Sequence, residues 1–442
     1  MNAHLQRPTQ LSGSLRIPPD KAICHRAALL SALAQGKTKL SPWPSAEDCQ
    51  RTLGVIKALG VSAVIDKDTV IIDSPGVSGL KPPSGPIDCG ESGTTFRLAA
   101  GLLAGLPFRS TLTASPSLSR RPMRRIVDPL SQMGASIAGR SESENPREVY
   151  PPLTIEGRPL KTIRYDMPVA SAQVKSAILL AGLFAEGPTT VIEKHPTRDH
   201  TERAFQAFSL PVTNKDNAIT ITPGILRSPG SLLIPGDISS AAFFLVAGAC
   251  VPNASITLTE VGLNPTRAAV IAVLRRMGAL IDVKTEENSW EMRGTITVRS
   301  SALTAVTIAP SEVPGIIDEL PVLMVAAACA RGTSRFAGVA ELRVKETDRI
   351  QSMVSGLGSL GARVRVLSPD TVEIEGQAGL SGCEVDSAGD HRTAMSLAVA
   401  GLLASGKTIV RGAECVAKSF PDFFELLGSL AGSTTVKTID KP

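Results

Sequence analysis

The chain has 442 residues, 43% apolar and 20% charged, which suits two to three domains or one large repeat-built unit and excludes a disordered chain. Its 38 Gly and 32 Pro follow no short period, so it is not collagen-like. Aromatic residues are only 3%, too few for single-strand stacking platforms, so the excess of 46 basic over 41 acidic residues fits small anionic ligands or a mildly basic surface, and no nucleic acid.

Residues 1–17 precede six similar segments, 25–36, 95–105, 173–187, 240–250, 318–332 and 391–406, each Ala/Leu-rich and apolar nearly all round. That composition predicts buried helices, and Gly at or just past most of their ends is a C-cap signal. Short β-branched runs follow, such as those beginning at Thr38, Thr190, Ser255 and Thr408. Amphipathic helices are predicted at 125–135, 268–279 and 349–362, each closing in Met-Gly-Ala or Leu-Gly-Ala. Further strands are predicted at 61–65, 219–222 and 372–374. The unit of strand, buried helix, strand, amphipathic helix and strand pair recurs at roughly 70 residues.

Six such units suggest two α/β halves of three units, with buried parallel helices inside and sheets on the solvent side. Ile17-Pro18-Pro19-Asp20 and Ile234-Pro235-Gly236-Asp237 read as the crossings. The N-terminal half is then 18–236, and 1–17 joins 237–442 in the other. The repeat alone leaves a contiguous solenoid open.

Unusual residues gather where the buried helices begin: Lys21, His25 and Arg26; Asp88 to Thr95; Ser171 to Gln173; Gly236 to Ser240; Asp318 and Glu319; Asp390 to Arg392. Helix N-termini attract anions, and hydroxyls with Lys or Arg point to a phosphorylated ligand. Taken singly, each loop reads as an ordinary cap or turn. Polar residues are also dense at 117–125, 197–202, 264–267 and 341–349. No P-loop, nucleophile elbow, zincin or dinucleotide fingerprint occurs. The seven Cys include no C-x-x-C pair, and the N-terminus has no leader pattern. No apolar run reaches membrane-spanning length. These features predict a reduced, soluble, cytoplasmic protein.

The ordered motifs resemble the 5-enolpyruvylshikimate-3-phosphate synthase (3-phosphoshikimate 1-carboxyvinyltransferase) family of enolpyruvyl transferases. They are Pro18 to Arg26, Asp88 to Thr95, Arg121-Pro-Met123, Ala170 to Ser176, Thr197 to Glu202, Pro235 to Ser240, Asn264 to Arg267, Leu342 to Arg349, Asp390 to Arg392 and Ser419 to Pro421. The resemblance implies two inverse α/β halves with an active-site cleft between them, closing on anionic substrates. It implies transfer of the enolpyruvyl group of phosphoenolpyruvate to the 5-hydroxyl of shikimate 3-phosphate, in aromatic amino acid and chorismate biosynthesis. No cofactor or metal is implied, the partners are the small anionic substrates with no nucleic acid or membrane, and a monomer is expected.

Carried over by position, Asp318 and Glu346 are the implied acid–base pair, assisted by Lys21. Lys21, Gly93, Arg121, Gln173, Arg349, Arg392 and Lys418 would bind phosphoenolpyruvate. Arg26, Ser171, Ala172, Gln173, Arg198, Asp318 and Lys345 would bind shikimate 3-phosphate. The chain departs from the family pattern at Pro19 (Gly in the family), Ala22 and Cys24 (both Ser) and Glu91 (Asn). These departures keep two alternatives open: a related transferase or eliminating enzyme with another acceptor, and a catalytically weak homologue. Gly93 keeps the room for glyphosate that Ala removes in the family. A Glu91 carboxylate facing a substrate anion at about 4 Å would cost at most about 4 kcal/mol at an effective dielectric of about 20, unless it turns toward Arg97 or Arg121.

Overall fold

A helix without a polar face is stable only when protein surrounds it. In the computed structural model, which describes residues 1–286, 289–376, 379–432 and 435–439, the six apolar segments are such helices: Lys21–Leu33, Gly93–Ala104, Ala172–Gly182, Ile238–Cys250, Leu320–Cys329 and His391–Leu403. Their side chains are buried on every face beyond the first turn.

The chain folds as two units. One is Pro19–Ile234; the other joins Met1–Pro18 to Pro235–Pro442. Among the described residues, each holds three of the buried helices and three four-stranded sheets. In every sheet one outer strand runs parallel to its neighbour, and the remaining pairs are antiparallel. Strands such as Arg293–Arg299 alternate buried and less buried residues, as expected of a sheet with one face on the core.

Long-range pairings complete the sheets. Ser231–Leu233 lies parallel to Gly36–Ser41 in the first unit. In the other unit, Asn2–Gln6 pairs with Lys407–Arg411 and Val436–Ile439, and Ser12–Arg16 pairs with Ser255–Gly262.

The first turns of the buried helices position the candidate site. Asp20, Ser92, Ser171, Asp237 and Asp390 cap five of them through side-chain oxygens. At the remaining one, which begins at Leu320, Glu319 makes no capping bond and Pro321 stands in the first turn; its entry is a short helix, Val313–Ile316, absent from the sequence reading. Among the described residues no helix is long and apolar enough to cross a membrane.

Candidate active site

In the Pro19–Ile234 unit, Lys21 is the first residue of its helix, and its ammonium pairs with Asp48 at 2.6 Å. One turn deeper, at His25, a hydroxyl chain fixes the neighbouring backbone. His25 Nδ1 meets Thr52 Oγ1 at 2.6 Å, Thr52 meets Thr95 Oγ1 at 2.7 Å, and Thr95 meets Ser92 Oγ at 2.8 Å. Thr95 also donates to the Asp48 carbonyl at 3.2 Å. Burial, with the nearby Lys21 and Arg26 charges, lowers the His25 pKa to about 3, so its ring is neutral.

Gly93 opens the next buried helix. A Cβ there would lie 3.0 Å from Arg121 Nη1 and 3.1 Å from Arg97 Nη1, so two guanidinium groups converge on this glycine. Arg97 Nη1 donates to Gln173 Oε1 at 2.7 Å, and Gln173 Nε2 donates to Thr94 Oγ1 at 2.9 Å. Glu91 does not turn to either arginine: its carboxylate accepts from Ser115 Oγ and pairs with neither Arg97 nor Arg121 among the described residues.

Ser171 caps the helix that Ala172 begins, accepting from Val174 N at 3.4 Å through a lone pair. A capping serine keeps its own proton for a ligand. Arg26 is buried, with Nε on Thr201 Oγ1 (2.7 Å), Nη1 on the Ala22 carbonyl (2.7 Å) and Nη2 on Ser176 Oγ (2.8 Å). Arg198 stands half-buried in the segment before the helix His200–Ala207.

The other unit gathers its sequence-predicted residues around one arginine. Arg349 is buried, with Nε on Asp390 Oδ2 at 2.8 Å, Nη1 3.4 Å from Asp318 Oδ1, and Nη2 on Glu346 Oε2. Burial opposes its charge, but Asp390, Glu346 and Asp318 outweigh burial and raise its pKa. Burial also works against the Asp390 charge, yet Arg349 holds that carboxyl below its ordinary value. Asp390 in turn caps the helix His391–Leu403, accepting from Arg392 N at 2.8 Å.

Arg392 Nη1 reaches the Asp318 carbonyl at 3.0 Å, and its Nε stands 3.6 Å from Asp318 Oδ1. Lys345, beside Glu346 in sequence, is crowded by protein, and that burial lowers its pKa to about 8 despite the nearby Asp318 charge. Lys418 donates to the Gly389 carbonyl at 3.3 Å. One guanidinium thus gathers two partly exposed carboxylates, with a second arginine on one of them. This arrangement can move protons while flanked by cations.

The sequence reading did not assign site roles to Asp48, Thr52, Arg97 or Asp390. Arg97 had a signal, since it is the one charge in an otherwise apolar segment; Asp48 and Thr52 had none, lying on an amphipathic helix where polar residues are ordinary.

A family model described as EPSP synthase (3-phosphoshikimate 1-carboxyvinyltransferase) matches residues 5–427. A 3-phosphoshikimate 1-carboxyvinyltransferase of Bacillus thuringiensis (strain Al Hakam) is 46% identical over 421 residues, which span 95% of this chain and 97% of that protein. One of Bacillus anthracis (strain A0248) is 46% identical over 422 residues, with the same coverage. Among solved structures, an EPSP synthase from Acinetobacter baumannii is 41% identical, with a TM-score of 0.87 and both chains covered in full. The enolpyruvyl transferase NikO from Streptomyces tendae is 18% identical with a TM-score of 0.79, covering 100% of this chain and 99% of that one; it shares the fold.

Proposed function

The chain belongs to the EPSP synthase family, and we propose that it performs that family's reaction with the residues described above. It transfers the enolpyruvyl group of phosphoenolpyruvate to the 5-hydroxyl of shikimate 3-phosphate and releases phosphate. The observation that carries the residue assignment is the pairing of Asp318 and Glu346 on the single guanidinium of Arg349.

The acceptor oxygen attacks C2 of phosphoenolpyruvate, its proton passes to one carboxylate, and C3 takes a proton to become a methyl group. A tetrahedral intermediate results. The C2–O bond to phosphate then breaks, a methyl proton leaves, and phosphate departs protonated. Protons given and taken balance, so two carboxyl groups assisted by Lys21 suffice.

Lys21, Gly93, Arg121, Gln173, Arg349, Arg392 and Lys418 are assigned to phosphoenolpyruvate, where cations stabilise the charge that builds in the intermediate. Arg26, Ser171, Ala172, Gln173, Arg198, Asp318 and Lys345 are assigned to shikimate 3-phosphate. Of the three carboxylates on Arg349, Glu346 is the most exposed at 24%, so it is the one an incoming substrate anion displaces, which frees it for proton transfer. The protein acts as a monomer in the cytoplasm, where its seven free thiols stay reduced.

The test is product identification. Isotope-labelled phosphoenolpyruvate with shikimate 3-phosphate should give vinyl signals of the enolpyruvyl ether. No product with this acceptor would contradict the assignment.

A further inference from the structure

The interior of the Pro19–Ile234 unit holds a charge cluster with no part in the chemistry proposed above. Lys175, fully buried one turn into the helix Ala172–Gly182, pairs with Glu202 at 2.6 Å and Glu193 at 3.0 Å. Its ammonium also reaches the Thr197 carbonyl at 3.5 Å. Glu193 Oε1 accepts from the Thr197 amide at 3.1 Å and from the Thr197 hydroxyl. Glu202 Oε2 is buried with no hydrogen-bond partner among the described residues, and burial raises that carboxyl's pKa against the pull of Lys175. One ammonium thus faces two buried carboxylates.

Such a cluster is a poor way to stabilise a core, because apolar side chains of similar volume often do as well or better. What it supplies is geometry. Residues 193–199 form no helix or strand. The cluster fixes this segment at 193 and 197, and fixes the following helix at 202. Thr201 is tied separately to Ser176 at 2.6 Å and to Arg26 at 2.7 Å. Arg198 stands between these anchors, half-buried.

We infer that Lys175, Glu193, Thr197 and Glu202 form a positioning clamp that presents Arg198 to the phosphate of shikimate 3-phosphate. The inference rests on the functional reading above and adds to it residues that touch no substrate. Because the clamp acts on one substrate's ligand alone, its loss should separate the two Michaelis constants.

The test is steady-state kinetics on Thr197→Val and Glu193→Gln, which keep side-chain volume, with Lys175→Met as the severe case. In Thr197→Val and Glu193→Gln the KM for shikimate 3-phosphate should rise about tenfold, equivalent to about 1.4 kcal/mol, while kcat and the KM for phosphoenolpyruvate stay within about twofold. Thr197→Ser, which restores the hydroxyl, should return the KM to its starting value. Lys175→Met strands two buried carboxylates and can fail to fold, so the milder pair decides. An unchanged KM for shikimate 3-phosphate in folded Thr197→Val and Glu193→Gln would overturn the clamp; so would both KM values and kcat worsening together with melting temperature. A wild-type protein that turns over normally beside unshifted variants removes the clamp alone, whereas a wild type that neither binds nor converts shikimate 3-phosphate removes the functional reading and the clamp with it.

Discussion

Burial lowers the pKa of Lys345 from 10.5 to about 8, which puts the loss of its charge within an ordinary assay range. The sign follows from the cation's assigned work. Below pH 8 the ammonium is present for the shikimate phosphate; as pH rises through 8 it is lost from the folded protein. The KM for shikimate 3-phosphate should then climb, by at most about tenfold per pH unit. The unfolded chain keeps this proton up to about 10.5, so the ligand-free fold gains relative stability from this group as pH rises from 8 toward 10.5. Lys345→Arg keeps its charge throughout and should flatten the KM profile. A flat profile in the unaltered protein would show that Lys345 does not hold the substrate.

At Asp318 and Glu346 the expected effect is on turnover. Either amide, Asp318→Asn or Glu346→Gln, should lower kcat by at least about 100-fold, the usual contribution of a placed acid or base. Circular dichroism should show an unchanged fold, and near-normal kcat in either variant would remove that residue from the mechanism. Glu91 calls for a different experiment. Ser115 holds its carboxylate, which keeps the residue beside the Gly93 turn. Glu91→Asn should lower the KM for phosphoenolpyruvate and the inhibition constant of glyphosate together, by about tenfold for each 1.4 kcal/mol of repulsion relieved. If both constants stay put, Ser115 already turns the charge away from the site.

Helix contacts connect these residues to stability. The helices Gly93–Ala104 and Ala172–Gly182 meet backbone to backbone, and a Cβ on Gly101 would lie 2.2 Å from the Ala177 carbonyl oxygen. Gly101→Ala must push them apart, costing about 1–3 kcal/mol or more. It should also loosen the Arg97–Gln173 bond that spans the same helix pair. Denaturant unfolding measures the first effect; an unshifted midpoint would mean that the helices yield freely.

The six buried helices were readable because a helix without a polar face has one stable environment. The four-residue helix Val313–Ile316 was not, since one turn carries no periodicity to detect. The hydroxyl chain from His25 through Thr52 to Thr95 was hidden for another reason. Its members are 27 and 43 positions apart, and only packing of three helices brings them together.

The sixfold pattern is legible in the sequence, and the chain passes from one unit to the other beside Pro18 and Pro235. Which strand completes which sheet was partly hidden. Ser231–Leu233 is too short to read as a strand by alternation, yet it closes a sheet with Gly36–Ser41 across most of its unit. The motif residues were readable by their order along the chain, and the structure adds what ties them together, above all the three carboxylates on Arg349. The claim that these residues serve one reaction is tested most directly by release of inorganic phosphate from phosphoenolpyruvate. Release should require shikimate 3-phosphate, proceed one-for-one with its consumption, and fall by about 100-fold or more in Asp318→Asn. Release without the acceptor, or none at saturating concentrations of both substrates, would contradict the account.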